Sequence, residues 1–142
     1  MTDAPHTVTR CTPLDRSCTY LHPRKASGVH RLLVSTVPFL GSPDLWIGLK
    51  ENGSGILAAS GIAEFDPGIK EGILDWIQVS PEFRRQRLGC FVVMELLLRL
   101  KKRADFVTVS GRMHNPTNPY ALYLNCGFEN PVVWHVIRRQ SL

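Results

Sequence analysis

The stretch Val79-Ser80-Pro81-Glu82-Phe83-Arg84-Arg85-Gln86-Arg87-Leu88-Gly89 decides how the rest of the chain is read. It joins two segments of different period. Before it, Gly72 to Val79 is a short run rich in apolar residues, broken by Ser80-Pro81, as a strand end would be. After it, Leu88 to Arg103 is too long for a strand and nearly apolar all round, with Cys90, Val93, Leu97 and Leu100 on one face and Phe91, Met94 and Leu98 on another. Its polar stripe is narrow, Glu95, Arg99 and Lys102 at i, i+4 and i+7, which predicts a helix covered on most sides. Lys101, Lys102 and Arg103 suit its C-terminus, where the helix dipole is negative. The junction is therefore a strand, a sharp turn and a helix start crowded with arginine. A helix start presents unpaired N–H groups and partial positive charge, and arginine adds bidentate contacts, so the pattern points to a bound polyphosphate or other anion. A solvated helix start is the alternative.

Working outward, Leu45–Leu49 and Ile56–Phe65 flank the turn Glu51-Asn52-Gly53-Ser54-Gly55 and predict a hairpin; Asp66-Pro67-Gly68 then leads into Gly72–Val79 as a third antiparallel strand. Beyond the helix, Phe106–Ser110 reads as a strand and Gly111–Thr117 as a loop. Asn118-Pro119 reads as an N-cap followed by proline at the first helical position of a short helix to about Asn125. Gly127 ends that helix and Val132–Ile137 makes a last strand. The first 43 residues are weakly patterned. His6–Thr12 alternates enough for a short strand, and Arg24–Val37 fits either period, with the balance towards helix. The order implies an α/β (α+β) fold with a mixed, mostly antiparallel sheet and helices on its faces.

Composition bounds the function. The 142 residues carry 17 Lys plus Arg against 12 Asp plus Glu, a formal charge of +5, with 44% hydrophobic and 20% charged residues. One domain over residues 1–142 is expected, with enough apolar content to set disorder aside for most of the chain. The longest apolar stretch, Leu88–Leu98, is interrupted by Gly89 and Glu95, so no membrane span is expected; Met1–Arg10 lacks the basic start and apolar core of a secretory signal, and a cytoplasmic location follows as the expectation. Cys11, Cys18, Cys90 and Cys126 are scattered, which favours thiols over a disulfide framework. Cys11, Cys18, His22 and His30 lack the short Cys-x(2 to 4)-Cys knuckle of a structural zinc site, and no metal is expected. The basic residues cluster at Arg84, Arg85 and Arg87, at Arg99–Arg103 and at Arg138-Arg139, without a helix-turn-helix or an aromatic RNA-binding signature, so a nucleic-acid partner is not expected.

Together with Asn118-Pro119-Tyr120-Ala121-Leu122-Tyr123-Leu124-Asn125-Cys126-Gly127-Phe128, the arginine-rich turn resembles the two signature motifs of the GNAT superfamily of acyl-CoA-dependent N-acetyltransferases. The first is similar to the Arg/Gln-x-x-Gly-x-Gly/Ala loop, with Arg84 and Gly89 at its ends; the second is similar to the Asn-x-x-Ala-x-x-Leu-Tyr-x-x-x-Gly-Phe helix. The likeness runs from about Leu45 to Ile137. One departure stands out: the inner glycine of the first motif is Arg87 here, where glycine lets backbone approach phosphate closely.

The resemblance implies a GNAT-like sheet with helices on both faces, acetyl-CoA as co-substrate, and direct attack of a primary amine on the thioester in a ternary complex. Ile77, Val79, Arg84, Arg85, Gln86, Arg87, Leu88, Gly89, Cys90 and Asn118 are the expected coenzyme A contacts. A backbone N–H near Val79 would activate the thioester. Because an alkyl amine is protonated at neutral pH, a base must take its proton. Asp75 is the first candidate, since it shares strand parity with Ile77 and Val79, with Glu71 and Glu64 behind it. Tyr123 would return a proton to the departing thiolate. His114 and His135 read as structural, Cys90 and Cys126 as packing residues, and Trp46, Trp76 and Trp134 as core or pocket walls. The expected partners are an amine acceptor, small molecule or peptide, and a second copy in a homodimer. A non-catalytic acyl-CoA-binding domain is the alternative that Arg87 raises.

Overall fold

Alternating apolar residues on the hairpin strands, and an apolar helix to cover them, organise the structure. The computed structural model describes residues 6–11, 31–33, 43–112 and 114–134. In chain order these form strands β1 (His6–Cys11), β2 (Arg31–Leu33), β3 (Trp46–Lys50), β4 (Leu57–Asp66) and β5 (Glu71–Val79), helix α1 (Leu88–Leu100), strand β6 (Phe106–Arg112), helix α2 (Pro119–Asn125) and strand β7 (Glu129–Trp134). One-turn 3-10 segments, Pro43–Leu45 and Pro81–Phe83, precede β3 and α1. The strands make one sheet in the order β2-β3-β4-β5-β6-β1-β7. Every neighbouring pair is antiparallel except β5 and β6, which are parallel because α1 carries the chain back between them. The mixed, mostly antiparallel sheet expected from the sequence is thus present, with β1 inserted between β6 and β7.

Two expectations change. Arg31–Leu33 is a strand, with Leu32 opposite Leu49 and Leu33 opposite Gly48, although Arg24–Val37 leaned towards a helix. A run that satisfies both periods is decided by what lies beside it, and here the edge of β3 offers a ladder of backbone partners. The remainder of that segment lies outside the described residues, as do Cys18, His22, His30, His135 and the arginines at 138 and 139. The last strand begins at Glu129, three residues before the expected Val132. Gly127 takes the left-handed conformation (φ 87°). Gly127 and Phe128 donate to the carbonyls of Leu124 and Tyr123, so the chain reverses at once and pairs immediately. Pro131 is tolerated because β7 is an edge strand and the β1–β7 register shifts beside it.

The core lies between the sheet and α1. Ile47 and Leu49 of β3, Ala59 and Ala63 of β4 and Leu74 of β5 are buried against Val92, Val93, Leu96 and Leu100 of α1. Each fully buried aliphatic side chain contributes about 1.5–3 kcal/mol. The polar stripe of α1 is used: Arg99 bonds Glu95 at 3.0 Å and the carbonyl of Asp44 at 2.5 Å, and Arg103 meets the Asp44 carboxylate at 2.6 Å. Both described helices cover the same sheet face; the expectation of helices on both faces falls in part outside the described residues.

Two glycines let α1 approach. A methyl at Gly72 would lie 2.7 Å from Leu100 Cδ1, and one at Gly61 would collide with Val92 and lie 2.9 Å from Ile77 Cδ1. Gly61 is also where the β4–β5 register slips: Ser60 pairs Gln78 but Ile62 pairs Asp75, leaving Trp76 and Ile77 opposite Gly61 alone. Trp76 takes a left-handed conformation (φ 46°) at this β-bulge and is exposed. Gly61→Ala is expected to lower unfolding free energy by about 1–3 kcal/mol, the usual cost of overpacking, when measured by chemical denaturation. An unchanged midpoint would contradict this packing.

Candidate functional site

The bulge turns the end of β5 away from β6. Backbone pairing between these strands covers Glu71–Leu74 against Phe106–Val109 and stops there, although β5 continues to Val79 and β6 to Arg112. On its other side β5 stays paired with β4 as far as Val79 opposite Ala59. One edge of β5 beyond the bulge therefore has amide and carbonyl groups that no described strand satisfies; Arg84 Nε donates to the Val79 carbonyl at 3.4 Å, and such groups otherwise take water or a ligand. A cavity of about 1,420 Å³ opens over this gap, walled by Ile77, Gln78 and Val79 on one side and by Leu122, Tyr123 and Asn125 of α2 on the other.

The arginine-rich turn forms one end of the cavity. Ser80 anchors it to β4, its N–H donating to the carbonyl of Ala58 (2.9 Å) and its hydroxyl to that of Leu57 (2.8 Å). Arg85 and Arg87 are left-handed (φ 62° and 60°), and Arg87 occupies the N-cap of α1 without a capping side-chain bond. Its carbonyl accepts the first helical bond, from the N–H of Phe91 (3.1 Å). The N–H groups of Leu88, Gly89 and Cys90 thus belong to the first helical turn ahead of its first backbone bond, with Arg84, Arg85 and Arg87 around the same cavity. Gly89 sits where α1 and α2 touch: a methyl there would stand 3.2 Å from Leu122 and 3.5 Å from Val79. The position of the missing glycine is the left-handed one, which a non-glycine residue holds at a cost of about 1–2 kcal/mol.

Tyr123 stands at the other end. It is buried, edge-on to Phe128 at 5.6 Å, and lines both the large cavity and a second one of about 360 Å³ bounded by Arg112, Pro131 and Val133. Burial, then the neighbouring Cys126 sulfur and the Asp75 carboxylate, push its pKa up to about 12, so the hydroxyl stays protonated across the neutral range. Asp75 is exposed and accepts a bond from the N–H of Trp76 at 2.9 Å. The expected parity of Asp75 with Ile77 and Val79 fails, because the extra residue at Trp76 puts Asp75 out of step with them; it reaches the site through its charge on Tyr123. Glu71 is engaged by the Thr108 hydroxyl (2.6 Å), and Glu64 pairs with Ile73 in the fully laddered part of the sheet, so neither faces the gap.

Of the expected coenzyme contacts, Ile77, Val79, Arg84, Arg85, Arg87, Leu88, Gly89 and Cys90 line the large cavity. Gln86 does not, and Asn118 lines only the smaller one. Asn118 occupies the N-cap of α2 with Pro119 first in the helix, as expected, but it is left-handed (φ 45°) and its side chain makes no capping bond. Asn115 does the local work, its Oδ1 accepting from the N–H and hydroxyl of Thr117, and it borders both cavities. Tyr123 follows Asn118 by five positions where the motif spaces the pair by seven, which explains the displacement. Gln78, Ser80 and Asn115 were not legible as cavity residues, because they belong to neither motif.

Cys90, in the first turn of α1, and Cys126, just after α2, face each other across the helix contact. The Cys126 thiol donates to the Cys90 sulfur at 3.4 Å. That bond brings the Cys90 pKa down to about 7, with burial opposing and the Arg87 guanidinium assisting.

No family model matches the sequence and no curated protein is similar to it. Solved structures are similar in fold. A GCN5-related N-acetyltransferase from Sphaerobacter thermophilus superposes with a TM-score of 0.64 at 17% identity, over 95% of this chain and 50% of that one. An acetyltransferase of the GNAT family from Colwellia psychrerythraea gives 0.65 at 11%, over 94% and 55%. A GCN5-related N-acetyltransferase from Kribbella flavida gives 0.60 at 13%, over 95% and 59%. The chain spans between half and two thirds of the length of the solved structures it matches. The fold is that of the GNAT acetyltransferases.

Two outcomes are expected of this geometry. The rate of Cys90 alkylation, followed by peptide mass spectrometry, rises with pH as thiolate forms, with its midpoint near 7. Cys126→Ala moves that midpoint upward by more than Arg87→Gln does. Arg87→Gly relieves the left-handed strain and raises unfolding free energy by about 1 kcal/mol, and a loss of stability would contradict the backbone assignment.

Proposed function

We propose that the chain transfers an acetyl group from acetyl-CoA to a primary amine. The observation that carries the reading is the gap between β5 and β6, a backbone edge without a described strand partner that leads from a helix start rich in arginine to a buried tyrosine. Acetyl-CoA supplies the activated acyl group and a thiolate leaving group. In this reading the N–H groups of Leu88, Gly89 and Cys90, with Arg84, Arg85 and Arg87, hold the pyrophosphate. The open edge of β5 from Ile77 to Val79 binds the amide-bearing arm as another strand would, and an N–H of this edge polarises the thioester carbonyl. Asp75, which lines neither cavity, accepts the proton of the incoming amine by way of water. Tyr123, protonated at neutral pH, donates to the departing sulfur, and its raised pKa keeps it an acid wherever the amine is free to react.

The second reading, an acyl-CoA-binding domain without turnover, is favoured by Arg87, which stands where glycine would let the backbone close on the phosphates. The two separate experimentally. Acetyl-CoA at a hundred times its dissociation constant is expected to stabilise the protein by about 2.7 kcal/mol in thermal melting. No shift at millimolar concentration would remove both readings. With an amine panel spanning peptide N-termini, lysines, polyamines and aminoglycosides, thiol release marks the enzyme. Tyr123→Phe is then expected to lower kcat by about 10²-fold with little change in acetyl-CoA binding, and Asp75→Asn to lower it most at low pH, where the amine is protonated. Binding without thiol release for any amine would leave the non-catalytic reading.

A further inference from the structure

Cys90 and Cys126 have a geometry that acetyl transfer does not call on. Their sulfurs are 3.4 Å apart, and a disulfide requires about 2.05 Å, so joining them asks the sulfurs to close by about 1.4 Å. The two differ in access: Cys90 is half-buried and lines the large cavity, whereas Cys126 is 2% exposed and lines neither cavity. The helices that carry them are already in contact through Gly89 and Leu122. Arg87 gives the accessible sulfur a cationic neighbour, and the Cys126 S–H is aimed at it. An attacking sulfur that opens on a cavity, with a second one buried behind it, is the arrangement in which oxidation of the first is resolved by the second.

We propose that Cys90 and Cys126 form a peroxide-reactive dithiol that closes to a disulfide linking the start of α1 to the end of α2. The Cys90 thiolate attacks one oxygen of hydrogen peroxide; the S–O bond forms, the O–O bond breaks, and the departing hydroxide takes up the proton that Cys90 released, leaving as water. Sulfur has lost two electrons and is a sulfenic acid. The Cys126 sulfur then attacks it, the S–S bond forms and the S–O bond breaks, and the leaving hydroxide takes the Cys126 proton as a second water. Two thiols and one peroxide give one disulfide and two waters. The link fixes the wall of the cavity that bears Leu122 and Tyr123 against the helix start.

The full chain is treated with hydrogen peroxide, remaining thiols are blocked with iodoacetamide under denaturing conditions, and peptides are mapped by mass spectrometry. The expected product is a Cys90–Cys126 linked pair, lighter than the sum of the two thiol peptides by two hydrogens and reverted by dithiothreitol. Cys126→Ala is expected to stop at a Cys90 sulfenic acid that dimedone traps, and Cys90→Ser to leave Cys126 unoxidised. Both cysteines fully alkylated after treatment of the unsubstituted protein, or Cys90 joined to Cys11 or Cys18 instead, would overturn the proposal. Neither result depends on binding acetyl-CoA.

Discussion

Backbone hydrogen bonding between β5 and β6 ends at Leu74 and Val109, and this interruption is the constraint on which the rest of the site depends. A buried amide or carbonyl left without a partner costs about 1–3 kcal/mol. A sheet would normally close such a gap by letting the two strands run on together. Here they are held apart by the additional residue at Trp76, which bends β5, and by Gly61 opposite it, which lets Val92 and Leu96 of α1 press into the bend. The result is a slot with the hydrogen-bonding pattern of a missing strand, kept open by packing elsewhere.

Helix α1 holds that slot and also forms its charged end. Its apolar surface is fixed against β3, β4 and β5, and its far end is tied by Arg99 and Arg103 to Asp44. Its N-terminus therefore cannot drift relative to the bend in β5. The three arginines and the leading N–H groups gain their shared direction from that rigidity. Charge on the turn would otherwise be an ordinary solvated patch.

Much of this was written in the sequence where a residue type answers to a single local demand. The β3–β4–β5 succession followed from turn residues between apolar runs, α1 from its length and narrow polar stripe, and the arginine cavity from the turn that starts the helix. Tyr123 stood out through its spacing to Gly127-Phe128. The parts that escaped depend on contacts distant in sequence. Nothing around Asp75 announces a bulge, because its cause is the fit between Gly61 and a helix thirty residues further on. The displacement of Asn118 is the exception, since its spacing to Tyr123, two positions shorter than in the motif, stands in the sequence itself; the role of Asn115 depends on the folded loop. The assignment of Arg31–Leu33 as a strand needed the edge of β3 to be known. The meeting of Cys90 and Cys126 is a property of two helices packing, which neither helix encodes alone.

The insertion of β1 between β6 and β7 has a bearing on how the molecule reaches this state. Val8 lies opposite Ser110 and Val132, which are 102 and 124 positions away along the chain, whereas the strands of the β3–β4–β5 meander meet across tight turns. Contacts so remote in sequence form late, since their loop-closure entropy must be met before they stabilise anything. The central meander with α1 is thus the natural nucleus. Until β1 docks, β6 shows an unprotected edge to any neighbouring chain.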